Sequence, residues 1–140
     1  MPVFGKASLA KLETCHEEIQ QVCFEVIPIY DFTIICGRRE EEAQNQAFHD
    51  GFSGVRWPDS KHNAEPPELS DAVDIAPWHS TRLHVRWKNE LEFVQLSGYM
   101  LQAAAALGIK LRWGGDWNQD HDLYDINKPF DLCHFERIAV

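Results

Sequence analysis

The stretch from Ser60 to Pro77, SKHNAEPPELSDAVDIAP, constrains this chain more than any other. It places His62 in a polar loop broken by Pro66-Pro67, and it places Asp74 inside the short apolar run Ala72-Val73-Asp74-Ile75-Ala76. An aspartate on a buried strand is costly unless something compensates its charge. A metal ion would do so, and so would a set of structural hydrogen bonds. Near the other end of the chain, His134 follows Asp131 by three residues. Two imidazoles and one carboxylate, His62, His134 and Asp74, make a three-ligand zinc set with a fourth position left for water. That is the arrangement of a catalytic zinc rather than a structural one.

The remaining pattern predicts the frame around these residues. Apolar residues at Leu9, Leu12, Cys15, Ile19, Val22, Cys23 and Val26 recur every three to four positions and predict one amphipathic helix from Ser8 to about Glu25. Phe32-Thr33-Ile34-Ile35-Cys36 reads as a buried strand, ended by Gly37, and a second helix starts in the Glu40-Glu41-Glu42 run. Residues 51–70 form a long irregular segment, of the kind that in compact domains carries function or is disordered. A third helix is expected from about Trp87 to Leu107, with Leu91, Val94, Leu101, Ala104, Ala105 and Leu107 inward and Gly108 as its stop. Strands are expected at Ile109–Trp113 and after Asp131.

Composition excludes several functions. With 140 residues, 44% apolar content and no visible repeat or linker, the chain suits one domain, residues 1–140, without a separate wall-binding module. A net charge of −9 argues against nucleic acid, whose phosphates need clustered Lys and Arg. No run approaches the roughly 20 apolar residues of a membrane span, and the N-terminus lacks the apolar core of a secretory signal. Cys15, Cys23, Cys36 and Cys133 form no CxxC pair and are expected to be reduced, mostly buried thiols.

Hydrolysis at such a metal needs a base and an oxyanion partner. Asp131, three residues before His134, can face the same metal as general base. Arg39, at a strand-to-helix corner, reads either as a surface charge or as a group reaching a cleft; in the second case it would stabilise the oxyanion. Asp116, Asn118 and Asp120 have the alternate spacing of a calcium loop's first ligands. His121 stands at the turn-glycine position and no Glu follows at the twelfth, so an EF-hand is unsupported and only a looser calcium or substrate contact remains for Asp116–Asp125.

Four blocks in order make the chain identifiable by resemblance: Gly37-Arg38-Arg39 with Gln44; Ser60-Lys61-His62-Asn63 with Ser70 to Pro77; Trp113-Gly114-Gly115-Asp116-Trp117; and Asp131-Leu132-Cys133-His134-Phe135-Glu136. They resemble the motifs of the zinc D-Ala-D-Ala carboxypeptidase and L-alanyl-D-glutamate endopeptidase family, which includes many phage endolysins. The resemblance implies a compact α+β fold of the Hedgehog/D,D-peptidase type, a small antiparallel sheet carrying the metal with helices packed against it. It implies Zn2+ on His62, Asp74 and His134, Asp131 as catalytic acid/base and Arg39 at the oxyanion, with Ser60 and Gln44 supporting. Trp113 and Trp117 either line the peptide groove or belong to the core.

The expected substrate is the peptidoglycan stem peptide, cut at the L-alanyl-D-glutamate bond during phage lysis. The alternatives are a D,D-carboxypeptidase of the same fold and a non-catalytic zinc module. A monomer is expected, made in the host cytoplasm and acting on a thin cell wall after release by another factor. Three departures from the family pattern stand out, one being the Arg38-Arg39 pair, which offers two arginines to the site with the spacing favouring Arg39. The interval between His62 and Asp74 is long, so that Ala64–Leu69 reads as a substrate-facing insertion, and Cys133 replaces a common proline, its strand neighbours pointing it away from the metal.

Overall fold

The structure, a computed structural model, describes residues 1–123 and 130–138. Along the chain it forms helices α1 (Lys6–Leu12) and α2 (Glu17–Val26), strand β1 (Phe32–Cys36), helix α3 (Glu41–His49), strand β2 (Ala72–Pro77), helix α4 (Glu90–Leu107), and strands β3 (Leu111–Trp113) and β4 (His134–Arg137). The strands make one sheet in the order β1-β2-β4-β3, with every neighbouring pair antiparallel. The architecture is therefore α+β, a small antiparallel sheet with helices packed against it.

Strand alternation sorts the residues into two faces. Ile34, Val73, Ile75 and Phe135 enter a core shared with Leu12, Ile19 and Val22 of α1 and α2 and with Leu96 and Met100 of α4. The alternate residues Asp74, His134 and Glu136 point to the other face. Asp74 and His134 are direct cross-strand partners, so the sheet register itself sets one carboxylate beside one imidazole.

Two helix expectations need correction. The predicted helix over 8–25 is two helices. Ser70 accepts from the His16 N–H and donates its own N–H to Thr14 O, both at 2.8 Å, which pulls residues 14–16 out of helical geometry. The Thr14 hydroxyl also accepts from Arg38 N–H at 2.8 Å, and His16 Nδ1 caps α2 by accepting from Glu18 N–H. Tertiary bridging outweighs continuous periodicity here. The second correction concerns α4, which starts at Glu90 rather than Trp87 and buries Phe93, Leu96, Ser97, Met100 and Ala104. Val94 and Leu101 only flank the core, whereas Leu91 is 80% exposed and Ala105 and Leu107 also face solvent. Gly108 ends the helix at φ 73°, a left-handed conformation that suits glycine. Among the described residues, no helix is long and apolar enough to cross a membrane.

The inward face of α4 can be checked by a pair of truncations. Met100→Ala is expected to cost about 2–5 kcal/mol, and Leu91→Ala to stay within about 0.5 kcal/mol of wild type, both read from denaturant unfolding. Comparable losses for the two variants would contradict this assignment of the face.

Candidate metal and catalytic site

Three elements converge on Asp74. The loop after α3 carries His62, β2 carries Asp74 and β4 carries His134. Asp74 Oδ1 accepts from His62 Nε2 at 3.2 Å and from His134 Nδ1 at 3.1 Å, and the two rings lie edge to face with centroids 5.1 Å apart. The outer ring nitrogens are also engaged. His62 Nδ1 donates to Gly37 O at 2.8 Å, and His134 Nε2 donates to Glu136 Oε1 at 2.8 Å. Each ring thus faces an acceptor on both sides, which requires the doubly protonated imidazolium.

The electrostatics follow from these contacts. Burial opposes charge on His62, but its bonds to Asp74 and Cys36 outweigh that and raise its pKa to about 10. His134 is raised against the same burial cost by Asp74 and Glu136. Burial likewise opposes the Asp74 charge, and the two imidazoles hold its carboxyl well below the usual range. Glu136, bonded by His134 and by Arg112 at 2.7 Å, falls to about 2 in spite of partial burial.

The donor set fits a zinc ion on chemical grounds. Loss of the two inward protons would leave His62 Nε2, His134 Nδ1 and an Asp74 oxygen as ligands. Each outer N–H would stay fixed by a carbonyl or a carboxylate, the usual support for metal-bound histidine. Glu136 was not singled out from the sequence. The signal was present, since His134-Phe135-Glu136 on a strand puts the acid on the histidine's own face. The Gly37 carbonyl had no readable signal.

The other expected residues divide. Arg39 reaches the site: one guanidinium nitrogen is 3.9 Å from Asp74 Oδ2 and the other donates to Gln44 Oε1 at 3.0 Å. Arg38 instead turns to Glu68 O. Gln44, fully buried, also accepts from Asn63 Nδ2 and donates to the Ser53 hydroxyl and Val55 O, tying Arg39 to the start and the middle of the irregular segment. The Ser60 hydroxyl accepts from His62 N–H at 3.2 Å. The Asp131, Cys133 and Asp74 donor atoms all lie within 4.8 Å of one another. Gly114 makes that approach available, since a Cβ there would collide with the Asp131 carbonyl.

Two readings change and one open alternative is decided. The Cys133 thiol turns toward the site, contrary to expectation, and donates to Asp131 Oδ1 at 3.2 Å. It precedes β4, so strand alternation does not govern it. Cys15 and Cys23 are buried thiols, whereas Cys36 and Cys133 are half-buried among site residues. Trp113 is a core residue, stacked on Phe135 with its N–H given to Leu132 O, while Trp117 stands beside the His134 ring at 5.5 Å. In the acidic loop, buried Asp116 accepts from His121 N–H through Oδ2, its Oδ1 has no partner among the described residues, and Asp120 accepts from Asp122 N–H. Residues 124 and 125 of that loop lie outside the described residues.

A pH dependence follows, with opposite signs for the two kinds of group. His62 is raised to about 10 and His134 is raised above 6.5, so without metal their contribution is complete below pH 6.5 and falls as pH rises above it, that of His62 being lost by about pH 10. Asp74 and Glu136 are lowered, and their contribution is lost only as pH falls below about 4. Chelator-treated protein should therefore melt at falling temperature from pH 6.5 to 8.5. Zinc should stabilise more at the higher pH, because binding displaces those protons. A metal-free melting temperature that does not change over this range would refute the assignment.

The chain matches the family model described as phage L-alanyl-D-glutamate peptidase over residues 2–138. It is 35% identical over 140 residues to the L-alanyl-D-glutamate peptidase of Escherichia phage T5, covering 96% of this chain and 97% of that protein. Its fold is similar to that of the Serratia marcescens L-Ala D-Glu endopeptidase ChiX, with a TM-score of 0.73 and 22% identity over 96% of this chain and 89% of that one. The protein belongs to the phage L-alanyl-D-glutamate peptidase family.

Proposed function

We propose that this protein is a zinc-dependent peptidoglycan peptidase that hydrolyses the L-alanyl-D-glutamate bond of the stem peptide in phage-mediated lysis. One juxtaposition carries the reading: Asp74, held between two imidazoles, has the Asp131 carboxylate within 4.8 Å. A purely structural metal site has no use for a second carboxylate at that place. The names of the related proteins supply the bond.

His62, Asp74 and His134 would hold the ion. When bound, zinc would act as a Lewis acid toward the scissile carbonyl and lower the pKa of water. Asp131 takes a proton from the attacking water and returns it to the departing amine of the glutamate residue, so the carboxylate ends as it began. Arg39 supplies a fixed positive charge for the oxyanion that develops on the alanyl carbonyl. Gln44 holds that guanidinium in place and leaves its other nitrogen directed to the site. Trp117 borders the same space through its contact with His134. Action as a monomer at the host cell wall belongs to the same proposal.

Defined muropeptides with and without chelator provide the direct test, with products identified by mass. A new L-alanine carboxyl on the sugar side, formed only in the presence of metal, is the expected result. Release of D-alanine would move the assignment to a carboxypeptidase, and metal binding without any product would leave a binding module. Asp131→Ala should keep its metal and lose roughly 10²–10⁴-fold in turnover; loss of metal as well would remove it from the role of base. Arg39→Ala should lower kcat by about 10²–10³-fold with metal content unchanged; a change confined to KM would count against an oxyanion role.

A further inference from the structure

The residues that lead into β4 form a tight turn whose backbone is bonded throughout. Asp131 O accepts from His134 N–H at 3.1 Å, which places Leu132 and Cys133 at the centre of the turn. Asp131 N–H donates to Gly114 O at 2.9 Å, Leu132 O accepts from Trp113 Nε1 at 2.8 Å, and Cys133 O accepts from Ile75 N–H at 2.9 Å. The last of these bonds mounts Cys133 on β2, beside Asp74. What this anchoring leaves unfixed is the Asp131 carboxylate, which belongs to an exposed residue and can turn between rotamers.

That carboxylate has a reason to turn away. One of its oxygens lies within 4.8 Å of an oxygen of Asp74, and like charges at such a separation repel. Opposing this, the Cys133 thiol donates to Asp131 Oδ1 at 3.2 Å. Among the described residues, no other side chain forms a hydrogen bond with that carboxylate. A single donor suits a general base, because it secures one oxygen and leaves the other to take the proton from water.

We propose that Cys133 is a positioning residue for the hydrolysis, its thiol holding the Asp131 carboxylate in the orientation from which it serves as base. The proposal rests on the peptidase reading above and deepens it. The thiol acts through Asp131 and leaves the metal's fourth position open to water.

Cys133→Ala removes the donor and Cys133→Ser replaces it, so steady-state cleavage of a defined muropeptide by the zinc-loaded full chain distinguishes the possibilities. Cys133→Ala should lower kcat roughly 10–100-fold, the usual effect of losing an outer partner in a metal site, with KM and zinc content unchanged. Cys133→Ser should recover most of that loss. In an Asp131→Ala background, Cys133→Ala should have no further effect on kcat. Active wild type with an unchanged kcat in Cys133→Ala would overturn this inference alone, as would a serine variant no better than alanine or a loss of zinc. Wild-type protein without metal-dependent cleavage would overturn the peptidase reading and this inference with it. If Cys133→Ala does not fold, the infrared S–H stretch of wild type against Asp131→Ala provides the measurement. A low-frequency S–H band from the thiol bonded to the carboxylate should be present in wild type and shift upward in Asp131→Ala; identical S–H bands would refute the inference.

Discussion

The charge on Asp74 is the constraint on which the rest of this site depends. A carboxylate taken largely out of water on a central strand is costly unless paired and hydrogen-bonded. Here two imidazoles, with ring centroids 5.1 Å apart, meet the same oxygen. Their outer nitrogens need partners in turn, which Gly37 O and Glu136 provide, and Glu136 is then held by Arg112 on β3. The partners of one buried charge therefore span the sheet from the end of β1 to its far edge. Removing either partner of a buried pair costs more than the pair contributes, because a charge is left behind. The same cluster contains candidate ligands for a metal ion, His62 and Asp74 among them.

Sheet register turns that electrostatic requirement into geometry. Asp74 faces His134 across one side of β2 and, through the slip in β1, faces Cys36 across the other. His62 comes from outside the sheet and needs its own anchorage. Arg39 N–H donates to His62 O, Ser60 holds the His62 N–H, and Gln44 joins Asn63 to Arg39 and to residues 53 and 55. The irregular segment between α3 and β2 is thus tied to the site near its start and at its middle. A side chain such as Gln44, with all its polar atoms used inside the protein, positions others and does not itself meet a substrate.

Much of this was legible in the residues. The apolar runs located all four strands, and the motif blocks named the two histidines and the aspartate that the structure gathers. Misreadings arose where tertiary contacts competed with local pattern. The periodicity of 8–25 is continuous, but the bridge to Ser70 breaks the helix at 13–16. The stripe assigned to α4 included Leu91 and Leu107 because leucines invite burial, and packing chose Phe93, Leu96 and Met100 instead. Trp113 fitted a groove as well as a core until its stacking on Phe135 was seen.

What the sequence determined by itself is chemical: which donor types exist, their order, and the strands and loops that carry them. Composition and spacing carry that information because amphipathic period and side-chain chemistry are local properties. Tertiary structure alone decided which donors share a face. A one-residue slip between β1 and β2 exchanges Ile35 for Cys36 opposite Asp74, and a loop residue, Cys133, turns toward Asp131 rather than away. Neither outcome follows from local pattern, because register and loop direction are settled by partners far along the chain.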